Sequence, residues 1–165
     1  MDIPKNYNSK ESELKWLGFW EKDKVYAFEP KSKAEIYSVD TPPPTVSGKM
    51  HLGHSFSYAQ QDFVVRFHRM LGENVFYPFG VDDNGLATER MIEKMKNVKG
   101  QFMPRQEFVK LCYTTVEEIR NDFVYDWKRI GVSADFNIFY STINKHSQKI
   151  SQRSFVELHK MGRIY

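Results

Sequence analysis

Leu52, Phe56, Ala59, Phe63, Phe67 and Met70 recur at spacings of 4, 3, 4, 4 and 3, the period of one face of an α-helix. The pattern predicts a helix that begins after Thr45-Val46-Ser47-Gly48, buries this stripe and ends at Gly72, where a glycine relieves the strain of a left-handed cap. Upstream, Ile36-Tyr-Ser-Val-Asp40 is a compact β-prone run that stops at Thr41-Pro42-Pro43-Pro44, because prolines supply no amide donors and hold the backbone extended. Downstream, Asn74-Val75-Phe76-Tyr77 predicts a second short strand, closed by Pro78 and Gly80. Strand, helix and strand in that order make a βαβ unit with parallel pairing and a right-handed crossover.

Leu14, Leu17 and Trp20, with Trp16 and Phe19 beside them, follow Ser9 at helical spacing and predict a short amphipathic N-terminal helix over Lys10 to Lys22. Further helices are expected near Leu86 to Met95, from about Pro104 to Ile130 and from Asn144 to Met161, with a polar loop through Gly100. The long one from about Pro104 to Ile130 carries Phe108, Cys112, Val116, Ile119, Phe123, Trp127 and Ile130 on one stripe. Trp16, Trp20 and Trp127 are read as core or packing residues and Cys112 as a buried small hydrophobe.

Composition narrows the function classes. Among 165 residues, 41% are hydrophobic and 15% aromatic, enough for a packed core and unlike a disordered chain. The net charge of +3 is small and dispersed, so charge alone does not indicate a polybasic nucleic-acid binder. A lone cysteine, Cys112, excludes an internal disulfide framework and a four-cysteine zinc knuckle, and fits a reducing, cytosolic setting. Met1 to Lys10 hold no apolar run of a signal peptide, and no stretch approaches the roughly 18 apolar residues of a membrane span.

Chemistry concentrates in two segments. In Thr41-Pro-Pro-Pro-Thr-Val-Ser-Gly-Lys-Met-His-Leu-Gly-His54 a strand ends, a stiff loop turns, and a helix opens with two histidines and a glycine at its mouth. Ligands of open α/β sheets bind beyond the carboxyl ends of strands, and a helix N-terminus offers free amides and partial positive charge to an anion. His51 and His54, three apart, share a face of the first turn. Imidazole N–H groups there can stabilise charge that grows during phosphoryl or nucleotidyl transfer, and Gly53 leaves room for a flat ring. The glycine spacing is that of a P-loop, but His54 stands where the lysine must be. No third ligand supports a zinc pair. A capping or surface role for both histidines stays open on the residues alone.

The second segment, Pro78-Phe-Gly-Val-Asp-Asp-Asn-Gly-Leu-Ala-Thr-Glu89, again gathers polar groups after a strand. Asp82 can hold a substrate ammonium by a charge-assisted hydrogen bond, while a turn with an N-cap accounts for Asp-Asn-Gly equally well. The Gly85 register puts Gly80 at the first ligand position of an EF-hand, which dismisses that reading.

His51-Leu-Gly-His54 resembles the HIGH signature of class I aminoacyl-tRNA synthetases. Pro42-Pro-Pro-Thr-Val-Ser-Gly48 and Gly80-Val-Asp-Asp-Asn-Gly-Leu-Ala-Thr-Glu89 are similar to the valyl subfamily in its archaeal-type form, and Asn121 to Phe136 resembles the segment before its editing insertion. The likeness runs from Pro4 to Tyr165. It departs where Ala87 replaces the proline of the archaeal-type pattern, and bacterial-type relatives read Asp-His-Ala-Gly in place of Asp82-Asp-Asn-Gly85. Isoleucyl and leucyl specificities are the sister alternatives, and a non-catalytic nucleotide- or partner-binding remnant is the alternative of a different class.

The resemblance implies an α/β fold: the first half of a Rossmann-type (HUP-like) nucleotide-binding domain with a parallel sheet over residues 36–165, preceded by an N-terminal helical segment over 1–35. It implies activation of valine by ATP with Mg²⁺ and transfer to tRNA-Val in the cytoplasm, with no membrane partner. His51 and His54 would be catalytic and, with Gly53, bind ATP. Pro42, Pro43, Pro44, Thr45 and Asp82 would bind the amino acid, with Asn84 and Gly85 accessory and no metal ligand in the chain. No KMSKS-like segment, editing insertion or anticodon-binding domain is found in these residues. The chain is therefore expected to be an N-terminal fragment, inactive alone, with an open sheet edge and apolar helix faces left for the missing C-terminal half.

Overall fold

The computed structural model describes residues 6–165, so the first residues of the 1–35 segment, Pro4 among them, lie outside the described part. The elements run α1 (Ser9–Lys22), β1 (Ile36–Ser38), α2 (Leu52–Met70), β2 (Asn74–Phe76), β3 (Pro78–Val81), α3 (Leu86–Lys96), a 3-10 turn (Gly100–Phe102), α4 (Arg105–Arg129), β4 (Asp135–Ser141) and α5 (Lys145–Lys160). This is the mixed α/β class expected from the sequence, with each expected helix and both expected strands present. β1 and β2 pair in parallel, Ile36 with Asn74, Tyr37 with Val75 and Ser38 with Phe76, as a βαβ unit requires. The chain divides into two compact units.

Among the described residues the first unit comprises residues 6–40, 50–78 and 122–137. Its core holds Tyr58, Val65, Val75, Tyr77, Trp127, Val132 and Ala134. α1 is capped by Asn8, whose side chain accepts from the Glu11 amide, and buries no residue fully. Trp16 is accordingly exposed and Trp20 half-buried, which corrects the core assignment for Trp16. On this amphipathic helix Leu17 and Trp20 are half-buried, and Lys128 Nζ donates to Glu21 Oε1 at 2.6 Å.

The largest correction concerns α2. Leu52, Phe56, Phe63, Phe67 and Met70 of the expected buried stripe are exposed, and the buried positions are Tyr58, Asp62 and Val65. The reason is polar. Asp62 Oδ1 accepts from the Ser133 amide (2.8 Å) and the Ser133 hydroxyl (2.6 Å), and Arg66 Nε donates to Asp62 Oδ2 at 2.7 Å. Arg66 also donates to the Gly131 carbonyl, and Arg69 to Ser133 Oγ at 2.6 Å and the Tyr26 carbonyl at 3.3 Å. Buried polar groups require such partners, so this network fixes which face of α2 turns inward. The exposed apolar face agrees with the separate expectation of uncovered helix faces. Gly72, at φ +85°, ends the helix as expected.

The second unit comprises residues 41–49, 79–121 and 138–165. Its core holds Val46, Phe79, Val81, Ile92 and Val116. Phe79 and Val81 belong to β3, which resumes one residue after β2 and so corrects the expectation that Pro78 and Gly80 close the strand. β3 pairs with β4, an element the periodicity did not reveal. Gly80 is required by that strand: a Cβ there would lie 2.0 Å from Tyr140 Cζ. Cys112 is half-buried on α4, and α5 buries no residue, leaving Ile150, Phe155 and Val156 exposed.

Candidate functional site

His51 is the N-cap of α2 with extended backbone, φ −131° and ψ 169°, and its side chain makes no capping bond. The ring is thereby free of the helix's own amides and turns onto His54, with centroids 3.8 Å apart and planes 19° from parallel. Gly53 is the reason the stack fits. A Cβ at that position would stand 3.1 Å from His51 Cε1 and Nδ1, tighter than ordinary van der Waals contact. The flat ring that Gly53 accommodates in this structure is that of His51.

Behind the pair, His54 faces Trp127 at 5.8 Å between centroids, and Tyr58 packs on the same indole at 4.3 Å. Trp127 is completely buried, so it forms a rigid wall for the first turn of α2. His54 Nδ1 is buried without a hydrogen-bond partner among the described residues. Burial, and then the neighbouring His51 ring, hold the His54 pKa below its ordinary value of 6.5, because a charged ring would be poorly solvated and repelled. The stack presents imidazole at a helix N-terminus whose first turn contains no acidic residue, an arrangement suited to receive an anion.

The second cluster lies wholly in the second unit. Thr45 and Asp82 form a parallel bridge: the Asp82 amide donates to the Pro44 carbonyl at 2.8 Å, and the Val46 amide to the Asp82 carbonyl at 3.2 Å. The structure thus joins Pro44 and Thr45 to Asp82 through backbone hydrogen bonds. Pro44 is buried, Pro43 half-buried, and Pro42 and Thr45 exposed. Asn84, also exposed, contributes its backbone amide, which donates to Asp82 Oδ1 at 3.1 Å. Gly85 has φ +94° and precedes α3 as its N-cap, a conformation that strains any residue with a Cβ.

Residues that sequence reasoning missed surround this carboxylate. Thr142 Oγ1 donates to Asp82 Oδ1 at 2.9 Å and accepts from the Asp83 amide at 3.1 Å. Asp83, its side chain fully buried, accepts at Oδ2 from Arg120 (3.1 Å) and from the Ser141 hydroxyl. The signal available in the sequence was a hydroxyl pair, Ser141-Thr142, directly after an aromatic run. Only recognition of β4 as a strand would have placed it at a carboxyl end, where ligand groups gather.

Among the described residues no cluster of three or more metal-ligating side chains occurs, and no helix is long and apolar enough to cross a membrane.

The family model for tRNA synthetases class I (I, L, M and V) matches residues 15–165. The valine–tRNA ligase of Rickettsia akari (strain Hartford) is 52% identical over 165 residues, which is 99% of this chain and 20% of that protein. Its counterpart in Rickettsia prowazekii (strain Madrid E) is 51% identical over the same shares. The chain therefore spans 20% of the length of these relatives. Among solved structures, the LeuRS–tRNA–LeuAMS ternary complex of Agrobacterium radiobacter K84 matches with a TM-score of 0.77 at 20% identity, over 97% of this chain and 19% of that one. That likeness concerns the fold.

Proposed function

We propose, from the premise that this chain belongs to the class I tRNA synthetases (I, L, M and V), that it is the N-terminal part of the catalytic domain of a valine–tRNA ligase. The observation that carries the reading is the stacked His51–His54 pair at the N-terminus of α2. The choice of valine is supported by the 52% and 51% identity to ligases of that name.

In this reading the carboxylate oxygen of valine attacks the α-phosphorus of ATP, which enters with Mg²⁺ as substrate. A phosphorus–oxygen bond forms to the amino acid as the bond to the leaving pyrophosphate breaks; a hydroxyl of tRNA-Val then attacks the acyl carbon, an ester forms, the carbonyl–oxygen bond to the phosphate breaks, and AMP and the hydroxyl proton leave. His51 and His54 donate hydrogen bonds to phosphate oxygens, and more strongly as negative charge builds on them in the transition state. A neutral His54, favoured by its lowered pKa, carries one N–H for this task at neutral pH. Gly53 contributes to ATP binding by leaving room for the His51 ring over the first turn of the helix. Asp82, joined to Thr45 and Pro44, binds the α-ammonium of valine, with Pro42 and Pro43 as further pocket wall and Asn84 and Gly85 shaping the turn. The same reading puts the protein in the cytoplasm, where tRNA is charged for protein synthesis.

The test is calorimetric titration of the chain with a nonhydrolysable valyl-adenylate analogue, with isoleucyl, leucyl and AMP analogues as comparators. Valyl-selective binding that Asp82→Ala weakens is the expected result. Equal affinity for the isoleucyl or leucyl analogue overturns the choice of valine, and no binding by folded protein favours the alternative of a non-catalytic remnant whose site needs the missing half.

A further inference from the structure

Asp82 meets two donors, the Asn84 amide and the Thr142 hydroxyl, and both land on Oδ1. Oδ2 of the same carboxylate has no protein partner among the described residues. Two bonds to one oxygen fix the plane and the tilt of a carboxylate while leaving the other oxygen's lone pairs unspent. The Asn84 bond is local, spanning two residues of the turn, and moves with the turn. The Thr142 bond spans sixty residues in sequence and ties the turn to the end of β4.

Thr142 is itself held at the hydroxyl. Its Oγ1 accepts from the Asp83 amide at 3.1 Å, which directs its one proton to Asp82. The adjoining residues form a second tie beneath: the Ser141 hydroxyl and Arg120 both donate to the fully buried Asp83 carboxylate, and the Ser141 carbonyl accepts from Ser147 Oγ at 2.9 Å. Consecutive residues of β4's end thus grip consecutive aspartates after β3.

We propose that Thr142 is a positioning residue for amino-acid recognition: it spends Oδ1 of Asp82 and so presents Oδ2 to the α-ammonium of the substrate. This rests on the reading of Asp82 as the ammonium-binding carboxylate and extends it to a residue far away in sequence. The proposed hydrogen-bond chain runs from the Asp83 amide through the Thr142 hydroxyl to Asp82. Without it the carboxylate rotates, and the ammonium must reorganise the site before it binds.

The test pairs two ligands with three forms of the chain. The ligands are 5′-O-(N-valylsulfamoyl)adenosine and its des-amino isovaleryl counterpart, which lacks only the ammonium; the proteins are wild type, Thr142→Val and Thr142→Ser. Calorimetry is expected to give Thr142→Val about ten-fold weaker binding of the amino ligand, unchanged binding of the des-amino ligand, and recovery in Thr142→Ser. Equal loss for both ligands marks a merely structural residue and overturns the proposal, as does no loss for either. Should Thr142→Val fail to fold, as judged by circular dichroism, Thr142→Ala takes its place with the same expectation for the amino-to-des-amino ratio. Failure of the wild type to bind the amino ligand more tightly than the des-amino one overturns the ammonium role of Asp82, and this inference with it.

Discussion

Replacing Asp62 by alanine tests the reason given for the orientation of α2. The wild-type carboxylate is 6% exposed and accepts from the Ser133 amide at 2.8 Å, the Ser133 hydroxyl at 2.6 Å and Arg66 Nε at 2.7 Å. Arg66 is 37% exposed at its side chain, so solvent screens its share to about 1 kcal/mol or less. The Ser133 bonds are different. Ser133 is completely buried, and an amide left there without an acceptor costs about 1–3 kcal/mol, with a comparable loss for each charge-assisted bond removed. Its hydroxyl keeps one partner, Arg69, which limits the damage. The sum for Asp62→Ala is about 3–5 kcal/mol, or a fall in Tm on the order of 10 °C for a chain of this size. Asp62→Asn retains a carbonyl oxygen for the Ser133 amide and should lose roughly half as much. Urea unfolding followed by tryptophan fluorescence reads this directly, because Trp16, Trp20 and Trp127 all belong to the unit that contains Asp62. A loss below about 1 kcal/mol for the alanine variant would refute the argument that polar partners turn this face of the helix inward.

The lowered His54 pKa sets a pH dependence. As pH falls below 6.5 the unfolded ring takes up its proton before the folded one, so the contribution is complete above 6.5 and is lost as pH falls toward the folded value. Urea titrations at pH 7.5 and pH 5 should therefore show a smaller acid loss in His54→Gln than in wild type; identical losses would contradict the burial argument. In the intact ligase, His54→Ala should slow valine-dependent pyrophosphate exchange by about 10²–10³-fold, and an unchanged rate would remove His54 from the chemistry. Gly80→Ala forces a Cβ to within 2.0 Å of Tyr140 Cζ and should cost about 3 kcal/mol or more, with Gly80→Ala in a Tyr140→Ala background markedly less disruptive by thermal melt. Cys112 has its thiol pKa raised by burial, and then by Glu89 and Glu93. Iodoacetamide should alkylate it more slowly at pH 8 than an unstructured peptide cysteine, and equal rates would count against that environment.

Much of this protein is written locally. The proline run Pro42–Pro44 and the glycine at 72 act within a few residues, so the stop after β1 and the end of α2 were legible from the chain itself, whereas the cap Asn8 was not read and Pro78 did not end the strands. The histidines at the start of α2 were legible too, because helix position is set by the backbone stop before it. Periodicity also reported that α2 has an apolar face. It carried no information about whether anything in these residues covers that face, and Asp62, an unpromising core residue by type, proved to be buried because Ser133 supplies its hydrogen bonds from 71 positions away. The same limit hid β4 and Thr142. A hydroxyl acquires a role from the carboxylate it meets, and Asp82 meets Thr142 only after two strands have paired. The sequence by itself determined the five helices, the β1–α2–β2 order and the residue types at their ends, since these depend on short-range sterics and hydrogen bonding. Tertiary structure alone decided which faces turn inward and which distant groups hold Asp82, since those depend on burial and on partners that the chain brings together only when folded.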